Sequence, residues 1–258
     1  MLSYCFAALW MLRGERISAI SLMRGMLTEL VATLVLMPFL PLWWLIGESY
    51  QAREPGHGDG RRRNPVILVH GLALTHTSWL FVGHYLARRG LGPIYGTTYF
   101  SFQSVAVSAE KLSRTVAAVR ARENADRVDL VGHSLGGVVA RAYIEKLGGA
   151  AHVGRLITIG SPHRGTLYGR MRLFSLLGLL PSVHQVGTSN FVDPPETIAN
   201  DPRVTYHAIW SRADAVILPP RSSSLEPRGK DVVFDNIGHL ALLLSRRVVR
   251  TIFAQLSA

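Results

Sequence analysis

The run Gly132-His133-Ser134-Leu135-Gly136 has the pattern G-x-S-x-G. The apolar stretch RVDLV at 127–131 reads as a strand leading into it. Residues 135–147 read as a helix leading out, ended by Gly148-Gly149. A strand, a sharp turn and a helix in that order hold a serine hydroxyl exposed at the end of a sheet. Gly132 and Gly136 remove side chains where the two backbones crowd. The helix beginning at Leu135 points its first amides at the same spot, where negative charge can develop. The chemistry this implies is nucleophilic attack by Ser134.

A serine hydroxyl needs a base to take its proton and an acid to orient that base. In a strand-turn-helix site of this kind the partners follow in the order serine, acid, histidine. The histidines after Ser134 are His152, His163, His184, His207 and His239. His207 lies inside an apolar strand and reads as structural. His239 lies in Asn236-Ile237-Gly238-His239-Leu240, between the last strand and the last helix, and is the chosen base. Among the acids Asp193, Asp201, Asp214, Asp231 and Asp235, the chosen one is Asp214, just past the strand that ends near Trp210. Asp235 is the runner-up.

An oxyanion formed on the acyl carbon needs two amide donors. One is the backbone N–H of Leu135. The other is expected from the loop His70-Gly71-Leu72-Ala73, where Gly71 permits a close approach and Leu72 supplies the N–H.

Short apolar runs alternate with longer amphipathic ones and supply the scaffold. Strands are expected at 65–69, 94–102, 127–131, 155–159, 204–210 and 231–234. Helices are expected at 78–89, 105–122, 135–147 and 240–256. This alternation predicts an α/β fold, a mostly parallel sheet covered by helices on both faces. The division is an N-terminal segment at 1–50, a polar Gly-rich linker at 51–64 and a catalytic domain at 65–258.

Eighteen residues between Glu29 and Glu48 carry no charge. As one helix, residues 30–47 would be about 27 Å long, close to the ~30 Å hydrocarbon core of a bilayer. Trp43, Trp44 and Tyr50 stand near one end, where aromatic side chains favour the interface. The expectation is a single N-terminal membrane helix in a bacterial cell membrane. Arginines on both sides of it leave its orientation open. A helix packed on the domain is the competing reading, favoured by Pro38 and Pro41. The apolar stretch 171–180 reads either as a small lid or lipid-facing surface, or as a core helix.

The 258 residues carry a net charge of +11, almost all of it from scattered arginines. No aromatic-basic pattern accompanies them, which argues against nucleic acid as a partner. The lone cysteine, Cys5, excludes an intrachain disulfide. His70, His76 and His84 lack metal-ligand spacing, and no dinucleotide or P-loop motif is present. No cofactor is expected.

The stretches VILVHGL at 66–72, VDLVGHSLGG at 128–137, ITIGSPHRGT at 157–166, SRADAVILP at 211–219 and NIGHLALL at 236–243 resemble the α/β-hydrolase lipases and esterases of bacteria. The likeness covers 65–258 and is closest to compact lipases with little or no lid. It implies a Ser134-Asp214-His239 triad, Leu72 and Leu135 as oxyanion donors, and carboxylic esters, often acylglycerols, as substrates. The N-terminal apolar segment is not part of that compact pattern. A thioesterase or acyltransferase could use the same triad. A non-catalytic membrane interaction protein is the reading from outside enzymology.

Overall fold

The computed structural model describes residues 17–50, 63–167 and 203–258. Nearly all of the 51–64 linker, the 171–180 stretch, Cys5, His184, Asp193 and Asp201 lie outside the described residues.

The strands are β1 (Ser49–Tyr50), β2 (Val66–Val69), β3 (Ile94–Gly96), β4 (Val128–His133), β5 (Val153–Ile159), β6 (Thr205–Ser211) and β7 (Lys230–Phe234). They form one sheet in the order β1-β3-β2-β4-β5-β6-β7. All neighbours are parallel except β1, which pairs antiparallel with β3. The helices are α1 (Ala19–Leu36), α2 (Leu80–Ala87), α3 (Val105–Glu123), α4 (Leu135–Lys146) and α5 (Arg246–Ser257).

Every residue of β2 and β4 is buried, which suits central strands covered on both faces. One apolar cluster joins α3 and α4 to one face through Val116, Leu130 and Val139. The opposite cluster joins α2, α5 and the far end of α1 through Leu68, Trp79, Leu86, Ile157 and Ile252. Helix α3 starts at Ser104, whose hydroxyl accepts from the Val107 N–H at 3.3 Å, and stops at Asn124 in the left-handed region.

Two elements differ from their sequence reading. The 94–102 run pairs only as far as Gly96, after which the chain turns over the sheet edge so that Tyr99 meets His70. The 240–256 run is a 3₁₀ turn at Leu240–Leu243 followed by α5, whose cap is Ser245.

The uncharged run 30–47 is not one helix. Helix α1 begins eleven residues earlier, at Ala19, with the Ser18 hydroxyl accepting from the Ser21 N–H at 3.1 Å. It ends at Leu36, and Met37–Leu42 continues as a 3₁₀ helix containing Pro38 and Pro41. Each proline removes an N–H and crowds the preceding turn, so the α-helical ladder stops there. The buried face of α1 is Leu22, Gly25, Glu29, Ala32 and Leu36, a spacing of three and four that makes a single stripe. Ala19–Leu42 is long and apolar enough to cross a membrane. Its inner stripe packs on the domain.

Candidate active site

Ser134 ends β4 and caps α4 with φ 52° and ψ −124°, a conformation that non-glycine residues rarely adopt. Its N–H donates to the Ile159 carbonyl at 2.8 Å, and its own carbonyl accepts from Gly137 at 3.1 Å. These bonds hold the strained turn. The flanking glycines are required by space. A Cβ on Gly136 would lie 2.2 Å from the Val69 oxygen, and one on Gly132 would lie 2.6 Å from the Gly137 backbone. Strand β2 and helix α4 thus approach more closely than any side chain allows.

Asp214 and His239 stand in loops after β6 and β7, and both are buried. His239 Nδ1 and Asp214 Oδ2 are 2.7 Å apart. The other carboxylate oxygen, Oδ1, accepts from the Val216 and Ile217 N–H groups, each at 2.9 Å. Three hydrogen bonds therefore fix the carboxylate. With Nδ1 donating to Asp214, the tautomer leaves Nε2 free to accept a proton. Burial alone would make His239 less basic. The charge of Asp214, its hydrogen bond and the charge of Glu29 outweigh burial, so the imidazole lies above the ordinary histidine value of about 6.5.

Ser134, His239, Leu72 and Leu135 line one cavity of about 340 Å³, whose other walls include Met37, Leu74 and Ile217. Asp214 lies behind His239. The structure thus brings all five expected residues to one place. A larger cavity of about 740 Å³, around Arg164, Leu218 and Arg221, holds none of them.

The other acids and histidines have different partners. Asp231 accepts from Trp210 Nε1 at 2.8 Å and from the Leu225 N–H at 3.1 Å. Asp235 pairs with Arg212 at the surface. His163, within the SPHRG stretch, is buried against the Thr158 hydroxyl at 3.0 Å, while Pro162 borders the cavity with Ser134.

Five further residues, given no role from the sequence, shape the site. His70 stacks on Tyr99, with ring centroids 4.3 Å apart. Its Nε2 accepts from the Tyr99 N–H at 3.3 Å, which leaves Nδ1 to donate to the Gly71 carbonyl at 2.9 Å. Burial lowers its pKa to about 4, so the ring is neutral and keeps this tautomer. The Tyr99 hydroxyl donates to the His70 carbonyl at 2.7 Å, and the Ala73 N–H donates to the Ser101 hydroxyl at 2.9 Å. Leu72 is held between those two anchors. His133 packs against His239 at 4.7 Å between ring centroids; burial above all keeps it neutral. Glu29, from α1, accepts from the Leu240 and Ala241 N–H groups. His70 and His133 border motifs that the sequence displays, but Glu29 belongs to no motif.

The sheet order, the strained serine turn and the acid and histidine in later loops define the α/β-hydrolase fold. Solved structures of that fold align with most of the chain. The mature lipase BlEst2 of Bacillus licheniformis aligns over 80% of this chain and 96% of its own, with a TM-score of 0.66 and 15% identity. A monoacylglycerol lipase of Paleococcus ferrophilus aligns over 76% of this chain and 96% of its own, at 0.59 and 16%. The α/β-hydrolase MGS-MChE2, from a sediment metagenome, aligns over 75% and 92%, at 0.53 and 19%. The chain is an α/β-hydrolase in fold.

In sequence, a family model described as palmitoyl protein thioesterase matches residues 65–190, just under half of the chain. Triacylglycerol lipases of Pseudarthrobacter phenanthrenivorans and Burkholderia plantarii are each 36% identical over 113 residues. That match covers 40% of this chain, which spans about a third of the length of these relatives (34% and 31%).

Proposed function

We propose that this chain is a serine hydrolase that cleaves carboxylic esters of lipids or other acyl compounds. The observation that carries the reading is the buried 2.7 Å contact between His239 and Asp214 in a site whose cavity also contains the strained Ser134. Ser134 Oγ attacks the acyl carbonyl as His239 takes its proton. The Leu72 and Leu135 amides donate to the oxyanion. The C–O bond to the alcohol then breaks, and His239 gives that alcohol its proton. Water attacks the acyl-serine, again losing a proton to His239, and the acid leaves with Ser134 restored. The apolar walls of the cavity suit an acyl chain. The named activities of the two partial relatives support the same class.

The second reading is thioester cleavage by the same residues, favoured by the match to the palmitoyl protein thioesterase model. An oxygen ester and a thioester of one acyl chain, assayed side by side with and without an added alcohol acceptor, test the choice. The ester reading expects free acid from the oxygen ester at the higher kcat/KM. A strong preference for the thioester, or transfer to the alcohol in place of hydrolysis, overturns it.

The protein works at a membrane in this reading. The outer face of α1 exposes Met23, Leu27, Leu30 and Leu34, and Trp43, Trp44 and Leu45 follow it. Leu34 and Trp44 are each 68% exposed. Contiguous apolar surface of this kind, ending in tryptophans, suits the boundary between lipid headgroups and acyl chains. Met37, at the end of α1, borders the Ser134 cavity. A membrane at this face would lie beside the Ser134 cavity.

A further inference from the structure

The hydrolytic steps above make no use of the carboxylate of Glu29, which is 5% exposed in a leucine-rich helix. An acidic side chain buried there is costly to desolvate unless its oxygens are hydrogen-bonded. Helix α1 grips both loops of the acid and base. A Cβ on Gly25 would lie 2.5 Å from the Cβ of Ala213, the residue before Asp214. On the other loop, the Gly238 N–H donates to the Thr28 hydroxyl at 3.0 Å. A Cβ on Gly238 would lie 2.5 Å from the Glu29 Cβ and 2.6 Å from the Gly25 carbonyl oxygen. Glu29 Oε2 then accepts from the Leu240 N–H at 2.7 Å and the Ala241 N–H at 3.3 Å. The residues on either side of His239 are therefore tied to α1, one through Thr28 and one through Glu29.

We propose that Glu29 is a positioning residue of the hydrolytic site, holding the loop that carries His239 through the Leu240 and Ala241 amides. This rests on the reading of Ser134, Asp214 and His239 as the triad. It makes α1 part of the working enzyme. Loss of α1 would strip partners from the amides of Gly238, Leu240 and Ala241 together. The charge of Glu29 acts in the same sense, adding to that of Asp214 in favouring protonated His239. Burial raises the pKa of Glu29 itself, opposed by protonated His239 and by the two amides.

The test uses the full-length chain with a soluble p-nitrophenyl ester, each preparation titrated with a fluorophosphonate so that rates refer to active sites. E29A is expected to lower kcat about 10- to 100-fold, because a misplaced base costs rate in the transition state, with KM within about threefold. E29Q keeps an oxygen that can accept from Leu240 and is expected to recover at least a third of the wild-type kcat. Wild-type kcat per active site in E29A overturns the proposal, even if its melting temperature falls. So does E29Q that folds as well as wild type but is as slow as E29A. Failure of the triad reading looks different: wild type is then unlabelled by the fluorophosphonate, or S134A is labelled equally.

Discussion

The imidazole of His239 and the carboxylate of Asp214, both buried, meet at 2.7 Å. Their pairing sets the tautomer and raises the basicity of the ring. His239 must be neutral to accept the Ser134 proton, so kcat/KM rises with pH through its pKa. The acid limb is expected above the ordinary value of about 6.5. Asp214 favours the protonated ring, so D214N should move that limb to lower pH while cutting kcat by about 10²–10⁴. A pH–rate profile of both proteins checks the shift. Stability runs in the opposite direction. A raised His239 pKa contributes stability that is full below about 6.5 and is lost as pH rises through the folded-state value.

Ser134 occupies φ 52°, ψ −124°, and a side chain there costs about 1–3 kcal/mol. Glycine relieves that strain but adds freedom to the unfolded chain. S134G should be inactive yet more stable than S134A by about 1 kcal/mol, or about 2–4 °C in Tm. Thermal denaturation of the pair measures it. Equal or lower stability of S134G would mean that the strain at this turn does not exceed the roughly 0.5–1 kcal/mol that glycine's freedom costs.

Tyr99 holds the loop proposed to bind the oxyanion, through its hydroxyl on the His70 carbonyl. Y99F leaves a buried carbonyl without that donor, a loss of about 1–3 kcal/mol in stability. Activity is expected to fall about tenfold, mainly in kcat, because Leu72 loses its fixed direction. Urea unfolding and steady-state kinetics read the two effects separately.

The apolar outer face of α1 makes contact with lipid in this account. L34E with W44E adds charge where the side chains are exposed and contact no part of the triad. The double variant should move from the membrane pellet to the soluble fraction while keeping hydrolysis of a soluble ester within about twofold, since exposed substitutions away from the site change little. Unchanged fractionation would show that another part of the chain provides the attachment.

The nucleophile turn was legible because its requirements are local. Two glycines, a serine, a strand and a helix lie within about twenty residues. Asp214 and His239 followed from chain order and from loops that come after strands. Glu29 was hidden for the opposite reason. Its partner Leu240 lies 211 positions away, and no periodicity reports such a contact. By charge alone the apolar segment begins after Glu29. In the fold Glu29 is inside α1, because buried amides satisfy its carboxylate and make the charge tolerable. Strand β1 has two residues, too few to display alternation, and is defined by pairing with Tyr95 and Ile94. Prolines 38 and 41 did carry a signal, and it decided where α-helix gives way to 3₁₀.

The central claim is that Ser134 is a nucleophile activated by His239. Labelling of full-length protein with a fluorophosphonate probe, followed by mass spectrometry of the modified peptide, tests it most directly. Stoichiometric modification at Ser134, none in S134A, and labelling slowed at least about 10²-fold in H239A are expected. No adduct on wild type under conditions that modify a control hydrolase, or equal labelling of S134A, would contradict it.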